Sequence, residues 1–288
     1  MAELKYSFYP GCTLHSTGKE YGDSTRAACE ALGIELHELE DWNCCGASSA
    51  HSLRQDFALA LPGRNLMLAQ AAGLEIAIPC AACYSRTAHS YEALKHDADL
   101  RQSLEQTTGL SYEGRARPRA LLDIFTRDLD LGELGSRVRR PLRGLRPVSY
   151  YGCVLVRPPE ITGWDDPEHP VLMDRLLTTL GAEPMDWSYS VDCCGASLSL
   201  TSQRKVVINL VAKLLDAAQE AGANCVVTAC PLCQANLDTR HGRRSRTIPS
   251  FYFTELLGIA LGVPNTDSWF RAHLVNPRPL LSSLGLTE

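Results

Sequence analysis

Short apolar runs alternate with longer amphipathic stretches along most of the chain, and this pattern predicts the secondary structure. The runs are typical of buried strands, which we predict at residues 4–9, 34–39, 75–79, 148–151, 183–187 and 225–229. The stretches between them predict helices at about residues 18–32, 49–72, 85–104, 171–180, 197–221 and 232–240. Strands that alternate with helices indicate an α/β fold with mostly parallel sheets covered on both faces.

The same motifs occur twice in the chain, about 149 residues apart. The first half reads FYPGC, CCGAS and IPCAAC, and the second half reads YYGC, CCGAS and TACPLC in the same order. This recurrence predicts two pseudo-symmetric units. We assign residues 1–106 to the first unit, 107–147 to an Arg- and Pro-rich linker, 148–264 to the second unit and 265–288 to a C-terminal tail.

Charge and composition narrow the class of protein. The net charge of −5 argues against nucleic acid as a partner. No long apolar run predicts a membrane span, and the N-terminal sequence lacks the pattern of a signal peptide, so we expect a cytoplasmic protein. The linker arginines at 137–146 are interpreted either as part of a solvated connector or as a docking strip for an acidic partner or anionic substrate.

Twelve cysteines are the strongest chemical signal, and ten of them recur in two sets of five. The first set is Cys12, Cys44, Cys45, Cys80 and Cys83, and the second is Cys153, Cys193, Cys194, Cys230 and Cys233. Each set follows predicted strands, whose carboxyl ends meet at one edge of a parallel sheet. The thiols should therefore converge there, provided that Gly46 and Gly195 let each Cys-Cys pair lie in a kinked loop.

Thiols in a cytoplasmic protein more often bind metal or do redox chemistry than form structural disulfides. Four thiols suit either tetrahedral zinc or a cubane iron–sulfur cluster, and a fifth favours an unusual iron–sulfur cluster over zinc. Zinc in at least one of the two sets is the minor alternative. The two remaining cysteines, Cys29 and Cys225, fall within a predicted helix and strand, where core packing is the expected role.

Two histidines lie near the predicted thiol loops and are weak catalytic candidates. His15 follows Cys12 by three positions, and His51 follows the first Cys-Cys pair. Either one could donate a hydrogen bond to sulfur or a proton to a departing thiolate. The simpler interpretation is that both are exposed or helix-capping histidines.

The order Cys, Cys-Cys-Gly, Cys-x-x-Cys, present twice, resembles the cysteine-rich CCG domain. Two such domains in a chain of this length resemble the B subunit of heterodisulfide reductase. The resemblance implies that each five-cysteine set holds a noncubane [4Fe–4S] cluster. It also implies that the two clusters face one cleft, where a disulfide is cleaved with one electron from each. The implied partners are a ferredoxin-like C subunit and a flavin-bearing A subunit, and no nucleotide-binding fingerprint places the flavin on this chain.

The resemblance leaves two physiological directions open. One is reduction of a heterodisulfide, and the other is oxidation of sulfur on a protein-bound thiol such as lipoate, as in the sulfur-oxidising relatives. The excess of arginine over lysine favours the second direction weakly. Two other functions remain as alternatives: an electron-relay CCG subunit of a flavin-dependent glycolate, lactate or succinate oxidoreductase, and a zinc-stabilised scaffold.

Overall fold

The computed structural model describes residues 4–47, 49–199, 201–241 and 247–287, and the strands form two parallel sheets. The first sheet has the order β2-β1-β3-β4 and the second has the order β5-β6-β7. The strands are β1 (Leu4–Phe8), β2 (Ile34–Glu38), β3 (Ile76–Ile78), β4 (Pro118–Ala120), β5 (Pro147–Tyr150), β6 (Cys225–Thr228) and β7 (Ser250–Tyr252). Every pairing is parallel, which confirms the predicted α/β fold with two sheet-containing units.

Helices connect the strands and cover the sheets. They are α1 (Gly11–Leu14), α2 (Lys19–Leu32), α3 (Ala50–Leu53), α4 (Gln55–Ala71), α5 (Ala81–His96), α6 (Ala98–Thr108), α7 (Leu121–Asp123), α8 (Leu131–Ser136), α9 (Leu172–Thr179), α10 (Arg204–Glu220), α11 (Pro231–Thr239), α12 (Phe253–Leu261) and α13 (Arg278–Ser283). A π-helical turn, Ile124–Asp128, continues α7, and two 3-10 segments span Ala196–Leu198 and Thr266–Arg271. Among the described residues, no helix has both the length and the apolar character to cross a bilayer.

The strand predicted at 183–187 does not form a regular strand. Extended backbone does run beside β5, since the Glu183 N–H donates to the Leu145 carbonyl at 2.9 Å and the Met185 N–H to the Pro147 carbonyl at 2.7 Å. The Ser149 carbonyl, which would accept the next bond of this ladder, accepts instead from the indole N–H of Trp187 at 3.0 Å. The second sheet consequently has three strands where the first has four.

The segment 107–147, predicted from its composition to be a linker, contributes structure to the first sheet. Its strand β4 pairs with β3 in the register Ile76↔Pro118 to Ile78↔Ala120. Leu122 and Phe125 beyond it are buried. A stretch rich in charged residues can thus hold a short buried strand. The tail is likewise partly structured, because it carries a 3-10 segment and α13.

The two units share one hydrophobic core rather than standing apart. Helix α2 of the first unit packs on α12 of the second, and the Ser24 and Thr254 hydroxyls meet there at 2.7 Å. The guanidinium of Arg137 donates to the Ala31 carbonyl at 2.7 Å, at the C-terminal end of α2. That arginine therefore joins segment 107–147 to the first unit, so only other members of the 137–146 group remain candidates for a docking strip.

Candidate thiol site

Strand ends position the first cysteine set at one edge of the first sheet. Cys12 lies in α1 just after β1, and Cys44 and Cys45 lie in the loop after β2. Cys80 directly precedes α5 and Cys83 lies in its first turn. The sulfurs of Cys45 and Cys83 are 3.2 Å apart, so the structure brings the ends of β2 and β3 together.

The second set repeats this arrangement around β5 and β6. Cys153 follows β5, and the pair Cys193 and Cys194 precedes the 3-10 segment. Cys230 directly precedes α11 and Cys233 lies in its first turn. The sulfurs of Cys194 and Cys233 are 3.6 Å apart, which matches the corresponding contact of the first unit.

Each Cys-Cys pair bends at the glycine that follows it, as the sequence predicts. Gly46 has φ of 70° and Gly195 has φ of 79°, a region that favours glycine. The Gly46 N–H donates to the Cys44 sulfur at 3.4 Å, and the Gly195 N–H to the Cys193 sulfur at 3.2 Å. The bend thus turns a backbone N–H donor toward the first sulfur of each pair.

The glycine that precedes the first cysteine of each set is a functional position that sequence reasoning missed. A Cβ on Gly11 would lie 3.1 Å from the Cys83 sulfur, and one on Gly152 would lie 3.0 Å from the Cys233 sulfur. Both residues have positive φ. The recurrence of Gly-Cys in both copies was the available signal, and it reflects the close approach of backbone to sulfur.

A buried tyrosine fixes each Cys-Cys loop. The Tyr9 hydroxyl donates to the Asn43 carbonyl at 2.9 Å, and the Tyr150 hydroxyl to the Asp192 carbonyl at 2.7 Å, in each case the residue before the pair. Burial, and then the neighbouring thiols, raise the pKa of both tyrosines far above the usual value. These phenols therefore remain protonated and act as hydrogen-bond donors that position the loops.

Contacts among the thiols divide them into donors and acceptors. Hydrogen bonds from Cys44 and Cys83 lower the pKa of Cys45 to about 3. In the second unit, a hydrogen bond from Cys153 lowers the pKa of Cys193 to about 6. Thiolate is the form of cysteine that ligates metals, and in each set it is favoured within the Cys-Cys pair, on Cys45 in the first set and on Cys193 in the second.

The two sets meet at Cys80 and Cys230. The neighbouring Cys230 thiol raises the pKa of Cys80 well above its ordinary value. The Tyr21 hydroxyl lies at the same junction, 3.2 Å from the Pro79 carbonyl and 3.3 Å from the Ala229 carbonyl. One phenol thus links the two strand ends that lead into the paired cysteines.

The ten cysteines of the two sets, together called the thiol array, differ in burial and so define an inner and an outer side. Six of its cysteines are buried: Cys45, Cys80, Cys83, Cys194, Cys230 and Cys233. Cys153 is partly buried, whereas Cys12, Cys44 and Cys193 are exposed. A reactant or a partner protein can therefore approach the exposed sulfurs of both sets.

The remaining candidates from the sequence lie away from the array. The imidazole of His15 lies 2.9 Å from Glu38 and is half-exposed, and its ring contacts Trp42 rather than a sulfur. The His51 side chain lies outside the described residues. Cys29 and Cys225 are buried, and burial raises the pKa of both thiols, as expected of cysteines in a core.

The donor set fits an iron–sulfur cluster in each unit. Ten soft thiols gather at two sheet edges, and backbone N–H groups point at sulfur, as cluster sites require. The glycines at 11 and 152 leave room beside the sulfurs that a side chain would fill. Within the described ranges, no three Cys, His, Asp or Glu side chains surround a point suited to a single metal ion.

Comparison with known families matches a cysteine-rich domain, CCG, at residues 6–86 and 148–238. These two matches coincide with the two sheet-and-thiol units. The chain therefore belongs to the CCG cysteine-rich domain family.

Curated relatives cover almost the whole chain. It is 30% identical over 285 residues to the 8-methylmenaquinol:fumarate reductase membrane anchor subunit of Wolinella succinogenes, covering 96% of this chain and 99% of that protein. It is 28% identical to the B subunit of the ferredoxin/F420H2-dependent CoB-CoM heterodisulfide reductase of Methanosarcina acetivorans, covering 90% and 89%. A protein of Archaeoglobus profundus that is named as similar to heterodisulfide reductase B subunits is 25% identical, covering 90% and 91%.

A solved structure shares the fold. A hypothetical protein from Helicobacter pylori superposes with a TM-score of 0.73 at 13% identity, covering 95% of this chain and 52% of that one.

The family match and the curated relatives together identify the chain as a homologue of heterodisulfide reductase B subunits, within an oxidoreductase family built from CCG domains.

Proposed function

We propose that this chain is the catalytic B subunit of a heterodisulfide reductase-like complex, in which its ten recurring cysteines hold two noncubane [4Fe–4S] clusters. The observation that carries the proposal is the junction of the two thiol sets, where the Tyr21 hydroxyl lies 3.2 Å from the Pro79 carbonyl and 3.3 Å from the Ala229 carbonyl, directly before Cys80 and Cys230. Two independent electron carriers would need no such contact. A pair that acts on one substrate needs its two sites close together.

The chain's own residues would bind, orient and shield the reaction. The buried thiols exclude water from the inner side, while Cys12, Cys44 and Cys193 leave an outer side open to a disulfide. Tyr9 and Tyr150 hold the Cys-Cys loops at fixed distances from the rest of each set. When bound, each cluster supplies one-electron redox chemistry, so two clusters match the two electrons of one disulfide bond.

The proposed partners follow from the same chemistry. A ferredoxin-like C subunit would exchange electrons with the chain, and a flavin-bearing A subunit would complete the complex. The substrate would be a disulfide or a protein-bound thiol such as a lipoate carrier, in cytoplasmic sulfur oxidation. His15 and His51 remain weak candidates for proton transfer, and His15 would first have to leave Glu38.

Metal analysis tests the cofactor. After anaerobic purification and reconstitution, we expect close to eight irons per chain, four in each noncubane cluster. Stoichiometric zinc with negligible iron would contradict the proposal and favour a zinc-stabilised scaffold instead.

Disabling one copy tests whether the two sites act as a unit. We expect the double variant Cys80→Ala with Cys83→Ala to abolish disulfide turnover with an artificial electron donor, because residues that act as one unit are strongly non-additive. The double variant Cys230→Ala with Cys233→Ala should do the same, and Cys29→Ala is the matched control outside both sets. Half of the wild-type activity with the other cluster intact would mean independent sites.

The second candidate function is an electron-relay subunit whose flavin-bearing partner does the chemistry. The relative from Wolinella succinogenes favours it, since its name is that of a fumarate reductase subunit and its similarity spans 96% of this chain. A relay would pass electrons between a donor and a flavin-bearing partner while leaving small disulfides unchanged. Measuring both activities on one cluster-loaded preparation separates the two functions.

A further inference from the structure

A cavity of about 510 Å³ lies between the two units, apart from the thiol array. Its walls come from α5, from residues 117–128, and from residues 161–164 of the second unit. The volume falls in the range of small-molecule sites. The Tyr84 hydroxyl donates to the Thr162 carbonyl at 3.4 Å, which joins the two units across the cavity wall.

Aromatic rings form the apolar part of this cavity. Tyr84, Tyr91 and Trp164 line it, and the indole of Trp164 is fixed by a 3.2 Å hydrogen bond from Nε1 to the Leu155 carbonyl. The Tyr91 hydroxyl is held by the Gly114 carbonyl at 3.2 Å. The Lys95 ammonium lies over the Tyr91 ring, 4.0 Å from its centroid, so the rings left to contact a flat or apolar ligand body are those of Tyr84 and Trp164.

Some charged side chains of the cavity wall form close ion pairs within the protein, and others do not. Arg119 is satisfied, with Asp123 at 2.6 Å, Asp128 at 2.8 Å and Glu75 at 3.1 Å. It therefore compensates the two aspartates that line the cavity. Lys95 is likewise paired, with Glu92 at 2.8 Å.

Two guanidinium groups of the cavity wall are unpaired or only loosely paired. Arg117 lines the cavity, is exposed, and has no carboxylate partner in the part of the chain that the structure describes. Arg127 is half-exposed and its nearest carboxylate oxygen, Asp123 Oδ1, is 3.8 Å away. Guanidinium groups bind carboxylate and phosphate groups through paired N–H donors.

The carboxylate of Asp123 offers no acceptor to a ligand. Its Oδ1 atom is buried and lies 3.8 Å from the Nε atom of Arg127, and its Oδ2 atom accepts a hydrogen bond from Arg119 at 2.6 Å.

We propose that this cavity binds a small organic acid whose apolar body lies on Trp164 and whose anionic group is bound by Arg117 and Arg127. Tyr84 lines the cavity and follows Cys83 directly in the chain. The site exists whether the thiol array reduces disulfides or relays electrons.

Calorimetric titration of the cluster-loaded protein tests the proposal with a matched pair of probes, 2-naphthoate and its neutral amide, 2-naphthamide. We expect the acid to bind at least tenfold more tightly than the amide, because charge-assisted hydrogen bonds are worth about a factor of ten or more each. The double variant Arg117→Gln with Arg127→Gln should remove that difference and leave amide binding unchanged.

The control is Arg115→Gln, because Arg115 is exposed, pairs with Glu113 at 3.0 Å and does not line the cavity. It should bind both probes as the wild type does, and all variants should unfold at the wild-type temperature. Equal binding of acid and amide, binding of the acid that survives the double variant, or no binding of the acid at millimolar concentration would each overturn the proposal.

Discussion

An alanine in place of Gly152 tests whether close backbone approach to sulfur is essential for cluster binding. The new Cβ would lie 3.0 Å from the Cys233 sulfur, well inside the contact distance of carbon and sulfur. Either the sulfur or the loop must then move by a few tenths of an ångström. Metal–ligand distances tolerate about 0.2 Å, so we expect loss of the cluster in the second unit.

Backbone strain alone is a separate effect and has its own control. Gly152 has φ of 71°, and Gly73 has φ of 74° with nothing within 4 Å of an added Cβ. Alanine at either position costs about 1–2 kcal/mol in this conformation. Only Gly152→Ala adds the collision with sulfur. Gly11→Ala should act likewise on the first unit, where the distance to the Cys83 sulfur is 3.1 Å.

The assay is iron and sulfide per chain after anaerobic purification, together with the unfolding temperature. We expect both Gly152→Ala and Gly73→Ala to lower the unfolding temperature of the cluster-free protein similarly, and only Gly152→Ala to lose about half of the iron. Full iron in Gly152→Ala would refute the reasoning. Equal loss in Gly73→Ala would show that strain, and not contact with sulfur, is responsible.

Two further predictions concern residues where the units meet. Tyr21→Phe should lower the free energy of unfolding by about 1 kcal/mol, because the phenol links the Pro79 and Ala229 carbonyls. Denaturant titration measures this, and Tyr112→Phe, whose buried hydroxyl has no partner among the described residues, should not lower the free energy of unfolding. Burial opposes the charge on His273, but its ion pair with Glu255, helped by Asp238 and Glu20, raises the pKa to about 9. This pKa lies above the value of about 6.5 in the unfolded chain, so protonated His273 stabilises the folded protein. Its contribution to the free energy of unfolding, up to about 3 kcal/mol, is complete below pH ~6.5 and is lost as pH rises through 9. Denaturant titrations across that window should show the decline, and His273→Gln should make it shallower; a slope that the substitution leaves unchanged would contradict the assignment.

The positions of the thiols were largely predictable because they depend on local sequence. A short apolar strand followed by cysteine places that thiol at the carboxyl edge, and glycine after each Cys-Cys pair permits the bend that the structure shows at Gly46 and Gly195. Both inferences need only the alternation of strand and helix. They hold for each unit by itself.

The rest depends on contacts between distant parts of the chain. Strands β4 and β7 have three residues each, too few for a periodic pattern, and their pairing is set by the sheet they join. The junction of Cys80 with Cys230 depends on how α2 docks on α12, which no local motif encodes. Arg119 forms ion pairs with three carboxylates. One of them, Glu75, lies far away in the sequence, so no local motif encodes this network either.

The structural repeat extends beyond the cysteines to the third residue after the last strand of each sheet. Asp123 follows β4 by three positions and Glu255 follows β7 by three, and both carboxylates are buried beside a cation. In the first unit that cation is Arg119, which stays charged at every accessible pH. In the second it is His273, which loses its charge as pH rises. Equivalent positions thus share a geometry but differ in titration, so alkaline destabilisation should begin in the second unit while the first retains its ion pair.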